Sequence, residues 1–349
     1  SRGRKVRANC YRQFKIWYKN RNISIENTSL FSEHIVTLSL SQKEEIESIV
    51  SEIEKHLTSS SLNLKCKGVF MGYDFHLSPA GPKLIEINTN AGGAFLNSHY
   101  FYQNQYDTLF FETFQNEWRL EKGDQPLQTI AIVDHEPHSQ FLYSEFLLCQ
   151  KIFLNHGVHA IIADPSQLKW DQENWWYQNR IFDLVYNRLT DFYFQNKENI
   201  SLKKAYESGE TVITPNPLHH KIFANKENLE MLSRKITSGI PKSEKVTLEK
   251  ASSLWDNRRH LFFKPICGYG SKGAYRGDKI THRVWQNILQ SGDYIAQEYI
   301  PPSEQHHLKV DIRVYTYNAK CLLFVARLYT GQTTNFRTAG GGFAKIIFD

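Results

Sequence analysis

The chain has 349 residues, with 42 Lys and Arg against 36 Asp and Glu, a formal net charge of +6. With 41% hydrophobic and 22% charged residues it reads as globular, which excludes disorder, collagen and a coiled coil. The length exceeds what one hydrophobic core supports, no run approaches about 18 apolar residues, and the mild charge excess permits an anionic partner without demanding one. Five scattered cysteines (Cys10, Cys66, Cys149, Cys267, Cys321) form no C-x-x-C and no zinc spacing, so we expect reduced thiols and a cytoplasmic setting. The chain opens on Ser1 rather than Met, and no apolar signal region follows the basic start, which reads as a chain trimmed before Ser1.

Residues 1–40 carry no sustained period. Ser41 and Glu44 then have capping-box spacing, and Ile46, Ile49, Val50, Ile53 and Leu57 follow at helical spacing. Two strand-like runs, 68–77 and 83–88, are separated by Ser-Pro-Ala-Gly-Pro. A second unit, from 127, reads as strand (129–133), helix (140–155), strand (159–163) and strand (183–186), a small parallel α/β unit. Its strands end in Asp134, Asp164 and Asn187-Arg188. The carboxyl ends of such strands are where open α/β sheets hold ligands, so these residues and nearby Asp191 are candidates for a substrate crevice, with ordinary loop solvation as the alternative. The third unit predicts a helix over 226–237, a strand over 261–264 leading into a glycine-rich loop, and two long strands, 311–317 and 321–329.

In the run Lys-Leu-Ile-Glu-Ile-Asn (83–88), alternation puts Leu84, Glu86 and Asn88 on one face and Ile85 and Ile87 on the core side. Pairing Leu77 with Lys83 sets Asp74 directly across from Glu86. Two opposed carboxylates destabilise a strand pair by up to roughly 1 kcal/mol, a cost that a cation between them reverses. Asp74, Glu86 and Asn88 offer hard oxygen donors that suit Mg²⁺. A register shifted by one residue would instead leave a solvated strand face.

The loop after 261–264 contains G-x-G-x-x-G at Gly268, Gly270 and Gly273, with Ser271 between them. Residues 274–279 read as strand and turn, so a Rossmann fingerprint is not expected, and no Walker A loop is present. A glycine loop between strands acts as a flap over phosphates, with Lys264 as a point charge at the strand end. Cys267, inside the flap, reads as a packing residue. The H-R-D and D-F-G signatures of protein kinases are missing.

Together these pieces resemble the ATP-grasp superfamily in its circularly permuted branch, as in eukaryotic glutathione synthetases and bacterial glutathionylspermidine synthetases. The acidic hairpin precedes the lysines here, whereas ordinary ATP-grasp enzymes place it last. The resemblance implies an α/β (α+β) fold. Residues 1–98 would be the permuted part with the metal hairpin, 99–215 a Rossmann-like pre-ATP-grasp α/β domain, and 216–349 would carry lysines, flap, hinge and arginine strands. Lys226 and Lys264 resemble the two phosphate lysines, although Asn225 stands where Asp is commoner. Gly268, Gly270, Ser271 and Gly273 resemble the flap. Gln297, Glu298 and Ile300 resemble the adenine hinge, and Glu304 the ribose-binding acid. Arg313 and Arg327 resemble phosphate-facing arginines, and Asp74, Glu86 and Asn88 the magnesium ligands. If residues 318–319 form a two-residue turn, Arg313 and Arg327 face opposite ways; a three-residue loop puts both beside Asp311.

The resemblance implies an ATP-dependent carboxylate–amine ligase that forms an acyl phosphate, with ATP and Mg²⁺ (two ions) as cofactors and Lys264, Arg313 and Arg327 acting on the transferred group. The expected partners are small-molecule carboxylate and amine substrates, with no nucleic acid, no membrane, and a homodimer as the candidate assembly. Arg188, Asn335 and Arg337 are candidates to face a substrate carboxylate. The alternative is a regulatory or structural module that binds ATP and Mg²⁺ without catalysis. Nucleic-acid binding ranks below both, because the aromatics do not interleave with a basic cluster.

Overall fold

The computed structural model describes residues 30–59, 64–268 and 272–349. Strand β1 (Phe31–Leu38) leads into a helix, Leu40–Thr58, and then into the hairpin β2 (Met71–Ser78) and β3 (Gly81–Asn88). After two helices, Ala94–Tyr102 and Asp107–Lys122, come β4 (Thr129–Val133), a helix over Tyr143–Asn155, and β5 (His159–Ala163). A short meander follows, β6 (Leu168–Trp170), β7 (Trp175–Tyr177) and β8 (Arg180–Phe182), then β9 (Leu184–Asn187) and β10 (Val212–Thr214). The remaining strands are β11 (Ser243–Lys245), β12 (Leu261–Pro265), β13 (Tyr275–Arg276), β14 (Tyr294–Glu298), β15 (Ser303–Gln305), β16 (Leu308–Tyr317), β17 (Lys320–Tyr329) and β18 (Gly342–Phe348).

The ends of the chain build one central sheet in the order β1-β18-β17-β16-β2-β3, with β15 on β16. The middle forms a parallel sheet, β10-β9-β4-β5, and β11-β14-β12-β13 make a separate antiparallel sheet. One face of the central sheet (Tyr73, Phe75, Ile312, Val314, Ala326) packs on Ile46, Ile49, Val50 and Ile53 of the helix Leu40–Thr58. The other face (Tyr315, Leu323, Val325, Phe343) joins Phe95, Phe110 and Phe114 and the parallel-sheet residues Ile130, Ile132 and Tyr186 in a second core. The first helix obeys the apolar spacing, but its capping box is Ser39 with Gln42, two residues ahead of the expected pair. The strand before it ends at Leu38, so Ser39 is the first residue able to cap. The helix expected over 226–237 is shorter, Asn228–Lys235, and a separate helix, Pro217–Phe223, precedes it.

Both hairpins of the central sheet carry one extra residue in the second strand. In β2–β3, Ser78 pairs with Gly81 around a two-residue turn and Phe75 pairs with Leu84, yet Asp74 pairs with Glu86, which leaves Ile85 as a bulge. The expected opposition of Asp74 and Glu86 is therefore present, but Leu77 lies across from Pro82 rather than Lys83. The bulge also overturns simple alternation: Leu84 is buried in the core, while Ile85 faces the cleft described below. In β16–β17, Tyr317 pairs with Lys320 around Asn318-Ala319, both at positive φ as a tight hairpin turn demands. Leu322 is then skipped, and Asp311 lies opposite Arg327. A two-residue turn and two arginines on one face thus coexist, because the bulge absorbs the extra residue.

Among the described residues no helix is long and apolar enough to cross a membrane.

Candidate active site

The antiparallel sheet β11-β14-β12-β13 and the β2–β3/β16–β17 end of the central sheet line a common cleft. Its walls include Asp74, Glu86, Lys226, Lys264, Gly268, Gln297, Glu298, Ile300, Asp311 and Arg327, drawn from both ends of the sequence.

The floor follows from strand pairing. Glu86, Asp74 and Arg313 stand in a row across β3, β2 and β16, and Asp311 and Arg327 in the next row across β16 and β17. The Arg313 guanidinium donates through Nε to Asp74 Oδ1 and through a terminal nitrogen to Oδ2 at 2.9 Å. Arg327 reaches Asp74 Oδ2 at 3.0 Å and Asp311 Oδ2 at 3.2 Å. Burial pushes the Asp74 carboxyl up, but Arg313 and Arg327 outweigh it and hold the pKa below the usual range. Asp311 also accepts from Tyr329 (3.0 Å) and the Thr334 hydroxyl and lies 2.8 Å from His76 Nε2. Against its burial, these contacts bring its pKa down to about 2, with the His76 bond the largest of the lowering influences.

Lys264 is buried and donates to the Ile85 carbonyl at 2.5 Å and to Gln297 Oε1 at 2.8 Å. The bulge at Ile85 thus supplies a lysine acceptor. Burial pushes the Lys264 pKa down to about 8, helped by Lys226 and opposed by Glu86. Lys226 donates to Gly268 O at 2.6 Å and lies 3.5 Å from Glu86 Oε1, tying the flap to the acidic hairpin. In the hinge, Glu298 N–H donates to Lys242 O and Tyr299 N–H to His260 O, each at 2.8 Å, which fixes the backbone between two neighbours.

The other expected residues that the structure describes are not among the lining side chains. Gly270 and Ser271 fall outside the described residues, as does Cys10; the Gly273 carbonyl accepts from Tyr294 OH at 2.8 Å. Asn88 donates to Asp74 at 3.2 Å. The hairpin expectation of three metal donors meets a physical obstacle here, because both Asp74 oxygens already accept from cations. Glu304 is exposed on β15 and does not line the cleft. Asn335 braces its own loop through Thr330 O and Arg337 N–H, and Arg337 is exposed. Arg188 is buried beneath the 88–93 loop, donating to Asn90 and lying 5.2 Å from the Tyr186 ring centroid, and it does not line the cleft. Of the strand-end acids, Asp164 caps a short 3-10 turn and Asp191 accepts from Gln195, Asn196 and Asn199, so both organise loops.

The sequence reading overlooked His76, Tyr329 and Thr333, all of which line the cleft. For His76 the signal was available: it lies two residues beyond Asp74 and therefore on the same strand face.

No family model and no curated protein matches the sequence. Among solved structures, a glutathione synthetase-like effector from Globodera pallida, in apo form, aligns over 98% of this chain and 96% of its own, at TM-score 0.56 and 10% identity. A protein named as a gamma-glutamylcysteine synthetase from Methylobacillus flagellatus KT aligns over 88% of this chain and 86% of its own, at TM-score 0.54 and 11% identity. Over nearly its whole length, then, this chain has the mixed α/β fold of these two structures.

Proposed function

We propose that the protein is an ATP-dependent carboxylate–amine ligase with a circularly permuted ATP-grasp fold, in which residues 1–98 and 216–349 form one catalytic unit around a Rossmann-like unit at 99–215. The observation that carries this reading is the meeting in one cleft of Lys226, Lys264, Glu86 and the hinge Gln297, Glu298 and Ile300. Substrates are small molecules, and a cytoplasmic setting suits the free thiols of Cys66, Cys149, Cys267 and Cys321.

Lys226 and Lys264 would exchange their present acceptors, Gly268 O, Ile85 O and Gln297, for phosphate oxygens and offset their charge. The flap would exclude water, since an acyl phosphate hydrolyses when water reaches it. Arg327 lines the cleft and keeps a role beside the reacting groups. Arg313, paired to Asp74 behind the lining, acts as a positioning residue. Magnesium fits a reduced donor set. Asp74 is spent on arginines, and among the described residues no three His, Cys, Asp or Glu side chains form a cage. Mg²⁺ commonly takes one or two protein carboxylates and completes its shell with water and substrate phosphate, so Glu86 and the Asn88 amide oxygen suffice. When bound, the ion would screen phosphate charge, with two ions expected from the resemblance.

Purified protein should release ADP and phosphate only when a suitable carboxylate and amine are both supplied. Glu86→Gln should remove that turnover and leave thermal unfolding unchanged; full turnover in this variant would sink the assignment. A second reading, nucleotide binding without ligase activity, draws on the pairing of the cleft arginine Arg327 with Asp74 and Asp311 and on the effector name of one structural neighbour. ATP-induced stabilisation without turnover across a broad substrate panel would favour it.

A further inference from the structure

Gln297 lies on β14, lines the cleft and is only 2% exposed. One end of its side-chain amide is 2.8 Å from Lys264 Nζ. An ammonium can only donate, so the atom facing it is Oε1, and chemistry sets the orientation of the amide. The other end, Nε2, is buried and finds no acceptor among the described residues. On the central-sheet wall of the cleft, Arg327 Nε is likewise buried without an acceptor.

Among the described residues that line the cleft, these two are the buried side-chain atoms without a partner, and both are N–H donors. Lys264 has a third N–H beyond those given to Ile85 O and Gln297 Oε1. Leaving a buried donor unpaired is costly, and charged oxygens are its strongest acceptors. The buried part of the cleft is thus short of acceptors, and a ligand rich in anionic oxygens supplies them. Location points the same way. The resemblance groups Gln297 with the adenine hinge, yet its side chain is bound to the cation that also holds the Ile85 carbonyl, one residue from Glu86. Its backbone belongs to the hinge strand and its side chain to the charged side of the cleft.

We infer that Gln297 is a phosphate-binding residue, its Nε2 donating beside Lys264 to a phosphate oxygen of the bound nucleotide and taking no part in reading the base. The inference rests on the ATP reading of the cleft proposed above and gives one of its residues a different task. When Lys264 exchanges its present acceptors for phosphate, the neighbouring amide lies beside the same group, which accepts from both.

The test compares ATP with inorganic pyrophosphate, which has no base, by calorimetric binding to the intact protein and to Gln297→Leu and Gln297→Glu. In Gln297→Leu both affinities should fall at least about tenfold, the scale of one hydrogen bond to a charged group. Gln297→Glu keeps an acceptor for Lys264 but loses the N–H and adds a negative charge, so both should fall further. In the wild type the Gln297 side-chain amide protons, assigned in NMR spectra by their absence from Gln297→Leu, should move downfield when pyrophosphate is added. Should thermal unfolding show that Gln297→Leu does not fold, Gln297→Met takes its place. A loss for ATP with pyrophosphate unchanged would put the side chain against the base and overturn the inference alone, as would unchanged affinity for both. Amide protons that stay in place while both affinities fall would mean that Gln297 acts only through Lys264, which also overturns it. A wild type that binds neither ATP nor pyrophosphate would overturn the cleft reading and the inference with it.

Discussion

Asp74 and Arg313 face each other on neighbouring strands of the central sheet and are joined by two hydrogen bonds, the pair being 2% and 8% exposed. Such a pair loses solvation on both sides and regains it through mutual attraction, so removing one partner is far more damaging than removing both. Asp74→Ala should cost about 3–5 kcal/mol in urea unfolding. The double variant Asp74→Leu/Arg313→Met should lose clearly less than the sum of its single changes. Strict additivity would mean that the two residues are not coupled.

Nucleotide affinity should depend on pH through Lys264. Its pKa is pushed down to about 8 in the free protein by burial, and a bound phosphate favours the charged ammonium and raises it. Below about 8 the ammonium is already present. Above that value binding must take up a proton, and ATP affinity falls by up to about tenfold per pH unit until the bound-state pKa is reached. Calorimetric titration between neutral and alkaline pH should show this break, and Lys264→Arg should abolish it. An unbroken wild-type profile would exclude Lys264 from the phosphate site.

Glu54, on the helix behind the sheet, accepts from Tyr73 OH at 3.0 Å and is buried, which pushes its pKa from 4.5 up to about 7. The folded state therefore binds this proton more tightly than the unfolded chain does. The Glu54 contribution to stability is most favourable below 4.5, falls as pH rises through the interval to about 7, and levels off above it. The ceiling of this contribution is about 3 kcal/mol. Burial raises Glu117 and Glu145 in the same direction, so the informative quantity is the difference between wild type and Glu54→Gln. That difference should change across the interval and stay constant above it. A constant difference throughout would contradict the burial argument.

Gly72 provides the close approach that brings the 88–93 loop onto the floor of the site. A Cβ there would lie 2.7 Å from Ala91 Cβ and 3.1 Å from Arg313 Cδ. Gly72→Ala should therefore destabilise the fold by about 1–3 kcal/mol and shift Arg313 from Asp74. Chemical denaturation reads the first effect, and a weaker coupling in the Asp74/Arg313 double cycle on the Gly72→Ala background reads the second.

Much of the site was legible from local pattern. The hinge followed only from the family resemblance, whereas Asp74 and Glu86 emerged from the alternation of one hairpin and Lys264 from its place before a glycine loop. Each signal lies within about ten residues, the range over which strand period and turn chemistry act. Strands β1 and β18 were not legible, because β1 is defined by parallel pairing with a strand some 300 residues away.

The amino-acid sequence by itself determined which residues could carry charge to the cleft, and in what chain order. Tertiary structure decided their partners. Bulges at Ile85 and Leu322 reset two registers that the tight turns alone would have set otherwise, so that Asp74 meets Glu86 and Asp311 meets Arg327. Pairing of β2 with β16 then placed Asp74 against Arg313, turning an expected metal ligand into half of a buried ion pair. Side-chain alternation is a property of one strand, whereas neutralisation of a buried charge depends on which strand is hydrogen-bonded beside it.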